Sequence, residues 1–250
     1  MTSHPEDEDL YRRRLSGEKL TNLPPALVPP RTTLAGRWVT LEPQDAARHA
    51  EELYAAGHEG EQAMHIWDYL GYGPWPDIEA YRANLRQQSA NFEVIFFAIR
   101  DHASGKACGQ AAFLEIDPAC GAIEIGHIWF SPALQRTRAA TEALFLMLCH
   151  AMDDLGNRRM VWKCNALNAR SRNAAHRLGF RFEGIFHNHI IFKGRNRDTA
   201  WYSILDDEWP QVRERIAAWL ADDNFAEDGT PLSSLRDAMD ARPPHERQIG

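Results

Sequence analysis

The chain has 250 residues, 44% of them hydrophobic and 25% charged, with a formal charge of -7 at neutral pH. This is the balance of a water-soluble globular protein large enough for one well-filled core. The acidic surplus argues against a protein that coats nucleic acid, and no apolar run is long enough to span a bilayer.

The first 14 residues, "MTSHPEDEDLYRRR", lack the apolar core of a signal peptide, so a cytoplasmic chain with no membrane partner is expected. Residues 1–35 are charged, then punctuated by Pro24, Pro25, Pro29 and Pro30, and read as an N-terminal extension. A domain is expected over 36–221. It opens on the alternating strand "RWVTLEP", after which Asp45 is placed to cap a helix over 46–56.

Trp67, Tyr69, Tyr72 and Trp75 then crowd a segment broken by glycines and prolines. Such density has two uses, packing a helix pair onto a sheet or walling a ligand site, and packing is the commoner. Asp77 caps a second helix, to about residue 88, and "FEVIFFAIRD" and "GKACGQAAFLEID" form a hairpin. A turn over 117–121 leads into a buried strand marked by Ile123, Ile125, Ile128, Trp129 and Phe130, closed by Ser131 and Pro132.

A long helix follows, with Leu144, Met147, Leu148, Ala151 and Leu155 on one face. Between strand and helix, residues 135–140 offer consecutive backbone N–H groups, small side chains at Ala139 and Ala140, and Arg136 and Arg138 to neutralise charge. A helix amino terminus beside the end of a strand is an anion site, suited to a diphosphate.

Gly156 and Asn157 end that helix, "RRMVWKCNAL" reads as a strand, and a short helix over 169–178 stops at Gly179. Two strands surround a polar turn at 194–197, and the basic tip with Lys193, Arg195 and Arg197 reads as a solvated turn rather than a nucleic-acid patch. A last helix over 208–221 carries Trp209, Val212, Ile216 and Leu220 at helical spacing; residues 222–250 read as a frayed C-terminal tail. Cys108, Cys120, Cys149 and Cys164 lie in apolar segments without metal-ligand spacing, so buried, reduced thiols and no metal site are expected. Walker loops, G-x-S-x-G elbows, repeats and heptads are absent.

Two stretches resemble a known family. "EIGHIWFSPALQRTRAATEAL" is similar to the acyl-coenzyme A pyrophosphate loop of the GNAT acetyltransferase superfamily, Q/R-x-x-G-x-G/A, often followed by Thr-Glu-Ala. Gln135, Ala140, Thr141, Glu142 and Ala143 match, while Arg138 stands where a glycine is usual. An arginine there has to point away from the diphosphate or bind one of its oxygens. "NALNARSRNAAHRLGF" resembles the family's next strand end and helix through Asn168, Ser171 and Leu178-Gly179-Phe180. The likeness covers about residues 37–206 and is closest to the RimJ/RimL-type ribosomal-protein N-terminal acetyltransferases.

This resemblance implies an α+β fold, with a central mixed, mostly antiparallel sheet flanked by helices and a strand-loop-helix site for acetyl-CoA as co-substrate. It implies direct transfer of an acetyl group, in a ternary complex, to a primary amine on a protein N-terminus or a small molecule, with room for a homodimer. A non-catalytic acyl-CoA sensor is the alternative, because Arg138 departs from the motif and Ala175 stands where many members carry a tyrosine acid.

On this reading the cofactor is held by Gln135, Arg136, Thr137, Arg138, Ala139, Ala140 and Thr141 at the helix terminus. The backbone of Ile128 and Phe130 pairs with pantetheine, Asn168 offers it both donor and acceptor, and an N–H near His127 or Ile128 polarises the thioester carbonyl. An α-amino group, with a pKa of ~7.7–8, must lose a proton before it attacks. Glu124 is the first candidate base and His189 the second; a carboxylate balancing an arginine and a packed strand histidine are their plain structural uses. Alternation places His127 opposite Glu124 and puts His187 and His189 on one face. Ser171 is the candidate acid toward the departing thiolate, with helix hydrogen bonding as its ordinary use.

Overall fold

A computed structural model describes residues 23–243, and its compact body runs from Pro25 to Ala241. Residues 1–22 and 244–250, part of the expected extension and tail, lie outside the described residues. The body is one eight-stranded sheet: β1 Leu34–Ala35, β2 Val39–Pro43, β3 Ile95–Asp101, β4 Ala107–Asp117, β5 Ala122–Phe130, β6 Arg159–Asn165, β7 Arg181–Phe192 and β8 Arg195–Leu205. They lie in the order β1-β2-β3-β4-β5-β6-β8-β7. Every pairing is antiparallel except β5 with β6, so the sheet is mixed and mostly antiparallel, as expected.

Strand alternation divides the core in two. On one face, α1 (Ala46–His58) and α3 (Ile78–Ala90) bury Ala50, Leu53, Tyr81 and Leu85 with Ala98 and Trp129 of the sheet. Asp45 and Asp77 cap these helices by accepting from Arg48 N and Ala80 N, as their sequence positions imply. Between them run α2 (Glu61–Met64) and a 3₁₀ turn over His65–Tyr69.

The other face carries α4 (Arg138–Cys149), α5 (Ala169–Arg177), α6 (Trp209–Trp219) and α7 (Leu235–Asp240). They cover Phe97, Ile99, Phe113, Ile123, Ile125, Met160 and Trp162. Helix α4 widens into a π-helical turn over His150–Asp154, yet Ala151 and Leu155 stay in the core as their spacing requires.

Two expectations are corrected here. Residues 222–241 are not a frayed tail: Leu235 and Met239 are 1% and 4% exposed within the main core, and each buried side chain of that size stabilises by about 1.5–3 kcal/mol. Acidic, proline-bearing sequence hides a helix that short. Residues 25–35 of the extension, which the sequence leaves either laid over the domain or loose, are bonded to it, with Ala26 N and Leu27 N donating to Pro118 O and Leu155 O at 3.0 and 2.8 Å, and with β1 paired to β2. Cys120, in the turn before β5, is exposed, while Cys108 and Cys149 are partly buried and Cys164 is buried; all four are free thiols.

What positions the site is the break between β5 and β6. They pair only at Ala122–Arg159, Ile123–Met160 and Glu124–Val161. Beyond Glu124 they part. The cause sits in β5: Gly126 faces Ala112 and Trp129 faces Gln110, so His127 and Ile128 together oppose the single residue Ala111, and His127 has φ 51°. Such a bulge bends its strand and interrupts pairing.

Candidate functional site

At the end of β5, Thr137 caps α4. Its hydroxyl accepts from Ala140 N at 3.0 Å and donates to Leu134 O at 2.7 Å. The expected run of free N–H groups is shorter than the sequence suggests, because Gln135 N and Thr137 N donate to Ser131 O and Leu134 O. Arg136, Arg138 and Ala139 keep N–H groups without an acceptor among the described residues. Arg136 has φ 63°, and its exposed guanidinium has no ion-pair partner among the described residues. Gln135 instead stitches the loop to the strand, its Nε2 donating to Phe130 O at 2.9 Å.

Two of the residues expected to hold the cofactor have side chains engaged elsewhere, Arg138 in the outward direction that was one of its two expected uses. Arg138 donates through Nε to Leu220 O at 3.1 Å and through Nη2 to Asp222 at 2.9 Å, stacked between the Trp38 and Phe225 rings at 3.8 and 4.0 Å. Thr141 is buried and accepts from Arg177 Nη1 at 3.0 Å. Glu142, of the Thr-Glu-Ala triplet, is buried too. Its carboxylate accepts from the N–H groups of Arg37, Trp38 and Val39 at 2.8, 2.6 and 3.0 Å, fixing β2 to α4. Ala139 and Ala140 pack into the core behind the turn.

Across the gap, Asn168 caps α5 by accepting from Ser171 N at 3.1 Å. That bond uses one of the two lone pairs of the amide oxygen, and the amide N–H groups are not used by it. Ser171 Oγ accepts from Trp162 Nε1 at 3.0 Å and lies against the Cys164 thiol. Ala175 is fully buried. The edge of β5 at Ile128 and Phe130, half-buried, has no partner strand on the β6 side.

Ile123 and Ile125 pack in the α4 core, so Glu124 projects to the face covered by α1 and α3. Its carboxylate is buried, 2.8 Å from Lys163 Nζ, which is also paired with Glu115 and lies 4.4 Å from the Trp201 ring. Burial pushes the Glu124 carboxyl up to about 7, against the opposing pull of Lys163 and with a smaller push from Glu115. A carboxylate with that pKa is suited to accept a proton at neutral pH.

His127 does not sit opposite Glu124. The bulge turns its ring onto Tyr72 and Phe96, stacked at 5.5 Å and tilted at 5.0 Å, on the same α1 and α3 face. Nδ1 is hydrogen-bonded to the Tyr72 hydroxyl at 3.1 Å, which also accepts from Gln110 Nε2 at 3.0 Å. Burial lowers the His127 pKa and raises that of Tyr72, keeping both neutral.

A second bulge separates His187 from His189. Phe186 faces Thr199 and Ile190 faces Arg197, with Asn188 at φ 49° between. His187 bonds Asp198 at 2.9 Å and His189 bonds Thr199 Oγ1 at 3.0 Å, and consecutive strand residues point to opposite faces. His189 therefore lies on the Glu124 face, but it is exposed and reaches Glu124 only through Trp201 and Lys163.

The aromatic segment packs onto the sheet. Trp67 is core, its indole donating to Gly57 O at 2.8 Å with Trp75 edge-on at 5.1 Å, whereas Tyr72 reaches the bulge. The basic tip is solvent-exposed at Lys193, Gly194 and Arg195, as expected, but one of its cations is docked and Arg197 is half-buried. Lys193 and Gly194, at φ 46° and 73°, make a two-residue hairpin turn, and Lys193 Nζ donates to Trp67 O at 2.9 Å and Gly73 O at 3.0 Å. Arg195 and Arg197 belong to β8. Lys163 was missed from sequence, though a lone lysine in the apolar run "MVWKCN" was its signal.

A sequence profile described as the acetyltransferase (GNAT) domain matches residues 39–181. A GCN5-related N-acetyltransferase from Brucella melitensis is 44% identical, with a TM-score of 0.86 covering 88% of this chain and all of that one. YdaF of Bacillus subtilis (strain 168), a candidate ribosomal N-acetyltransferase, is 26% identical over 68% of this chain and 90% of its own length. The microcin C7 self-immunity acetyltransferase MccE, solved with acetyl-CoA and AMP, is 25% identical, with a TM-score of 0.57 covering 68% and 93% of the two chains.

Proposed function

The chain belongs to the GNAT acetyltransferase family and is an acetyl-CoA-dependent N-acetyltransferase, and we propose that it moves the acetyl group directly to a primary amine seated on the Glu124 face. The observation that carries this reading is Glu124 itself, a buried carboxyl held near neutral pKa at the point where β5 and β6 part.

The residues present fit the co-substrate. The free N–H groups of Arg136, Arg138 and Ala139, with the Arg136 guanidinium and the α4 dipole, would hold the diphosphate. The unpaired edge at Ile128 and Phe130 and the Asn168 amide would hold the pantetheine arm. Acetyl-CoA supplies an activated thioester. The backbone N–H at the His127–Ile128 bulge is the donor for its carbonyl oxygen.

Glu124 takes the amine's proton, and Lys163 steadies the carboxylate that must do so. Ser171 accepts the Trp162 N–H and lies against the Cys164 thiol, so its hydroxyl proton has to turn from that sulfur to be donated toward the thiolate. Likeness to YdaF supports a protein amino terminus as acceptor, whereas the hairpin tip docked by Lys193 over Trp67 and Gly73 supports a compact one, a terminal residue or a small amine.

The test is release of coenzyme A from acetyl-CoA against two panels, peptides with free amino termini and small amines. Turnover in either panel, lost in Glu124→Gln with cofactor affinity kept, is the expected result. Tight acetyl-CoA binding with no release in either panel would overturn the proposal in favour of a binding module.

A further inference from the structure

The face that carries Glu124 also carries a cation that no described residue neutralises. Arg197 on β8 alternates in phase with Thr199 and Trp201, and Trp201 is the cross-strand neighbour of Lys163, so Arg197 shares the sheet face of Lys163 and Glu124. It is half-buried, and its Nε is closed off from solvent with no hydrogen-bond partner.

No carboxylate among the described residues is within ion-pair reach of it. Asp198 points to the other face and is taken up by His187, Asn188 N and Asn196. Glu124 is close enough to feel the Arg197 charge but is held by Lys163. Arg100, Arg138, Arg159 and Arg181 each have a carboxylate partner.

Arg197 has instead the ring of Phe192, 5.6 Å away, at the hairpin tip that closes over the aromatic segment. Burial pulls its pKa below the usual arginine value. A partly desolvated guanidinium is costly until an anion meets it, and its planar fork fits a carboxylate or phosphate through two parallel bonds.

We propose that the acceptor carries an anionic group, a carboxylate or a phosphate, on the same molecule as its amine, and that Arg197 binds this group while Glu124 receives the amine. The proposal rests on the transferase reading of the site and adds the acceptor's second recognition element. Acceptors lacking that group leave the half-buried guanidinium unpaired, and are discriminated against for that reason.

The experiment uses the full chain with acetyl-CoA and matched acceptor pairs: amino acids against their carboxamides, and amino-sugar phosphates against the unphosphorylated amino sugars. In wild type, kcat/KM should favour the anionic member of one pair by about tenfold or more. Which pair shows the preference separates carboxylate from phosphate. Arg197→Gln should collapse the ratio toward one, and Arg197→Lys should restore part of it.

Equal use of both members, or an Arg197→Gln defect that leaves the ratio unchanged, overturns the proposal. If no pair is turned over, the transferase reading of these acceptors fails, and binding still decides the anion site. Quenching of tryptophan fluorescence by the anionic member alone, in the presence of coenzyme A and lost in Arg197→Gln, sustains the proposal. Binding of neither member, or of both equally, overturns it.

Discussion

The Glu124 carboxylate and the Lys163 ammonium stand 2.8 Å apart at the last paired position before β5 and β6 separate. Glu124 comes from the parallel pairing and Lys163 from the strand beside it, so the pair exists only because the sheet forms and then opens. Lys163 also reaches Glu115 and the face of Trp201. That arrangement leaves Glu124 poised between forms, with burial favouring the acid and Lys163 the carboxylate.

The acidic limb of the kcat/KM profile should therefore fall near pH 7. Burial holds Glu124 protonated below that point, and the base appears as pH rises through it. Glu124→Gln should remove the limb and lower kcat by about 10²–10⁴-fold, with the cofactor Kd kept. Lys163→Met should move the limb to higher pH, because the ammonium lowers the Glu124 pKa. A wild-type profile flat through neutrality would remove Glu124 as the base.

Arg136 and Arg138 should respond in opposite ways. Arg136→Ala removes a free cation beside the α4 terminus and should weaken coenzyme A binding by about tenfold, more at low salt than at high. Arg138→Gly restores the usual family residue but loses the bonds to Leu220 and Asp222, so urea unfolding should show a loss of about 1–3 kcal/mol. Calorimetry should find its coenzyme A affinity close to that of wild type.

Glu142 is expected to be structural despite its place in the motif. Its removal in Glu142→Ala leaves the N–H groups of Arg37, Trp38 and Val39 without their acceptor. Only Val39 N among them is fully buried, and at about 1–3 kcal/mol for an unsatisfied buried group the loss should be on the order of 1–3 kcal/mol. Glu142→Gln keeps one acceptor oxygen and should lose less. Equal urea midpoints for the three proteins would refute this role.

Lys193→Ala should free the hairpin tip from the carbonyls of Trp67 and Gly73. Hydrogen exchange should quicken over residues 65–75 and around the 193–194 turn, and the acceptor KM should rise several-fold, the cofactor KM changing less. Unchanged exchange would show that the tip is held by the Phe192 and Gly71 packing instead.

Much of this site is legible along the chain, because its signals are local. The Thr137 and Asn168 caps, the strand–turn–helix around Ser131 and the alternation that buries Ile123 and Ile125 are decided within a few residues by backbone donors and side-chain periodicity. Glu124 stands out for the same reason, as a carboxylate in phase between two buried isoleucines.

Register and long-range contact decided the rest. One extra residue at His127 and another disturbance before Ile190 move histidines to faces that simple alternation does not give. Arg138 turns toward Leu220 and Asp222 because these residues, more than 80 positions along, offer it acceptors. Lys193 meets Trp67 across 126 residues and Glu142 meets Arg37 across 105. A side chain's local pattern sets the element it sits in, but its partner is chosen by what the folded sheet brings near. The sequence by itself determined a GNAT sheet with a capped helix terminus at the end of β5, and the tertiary structure decided which charges on its open face are paired and that Arg197, among the described residues, is not.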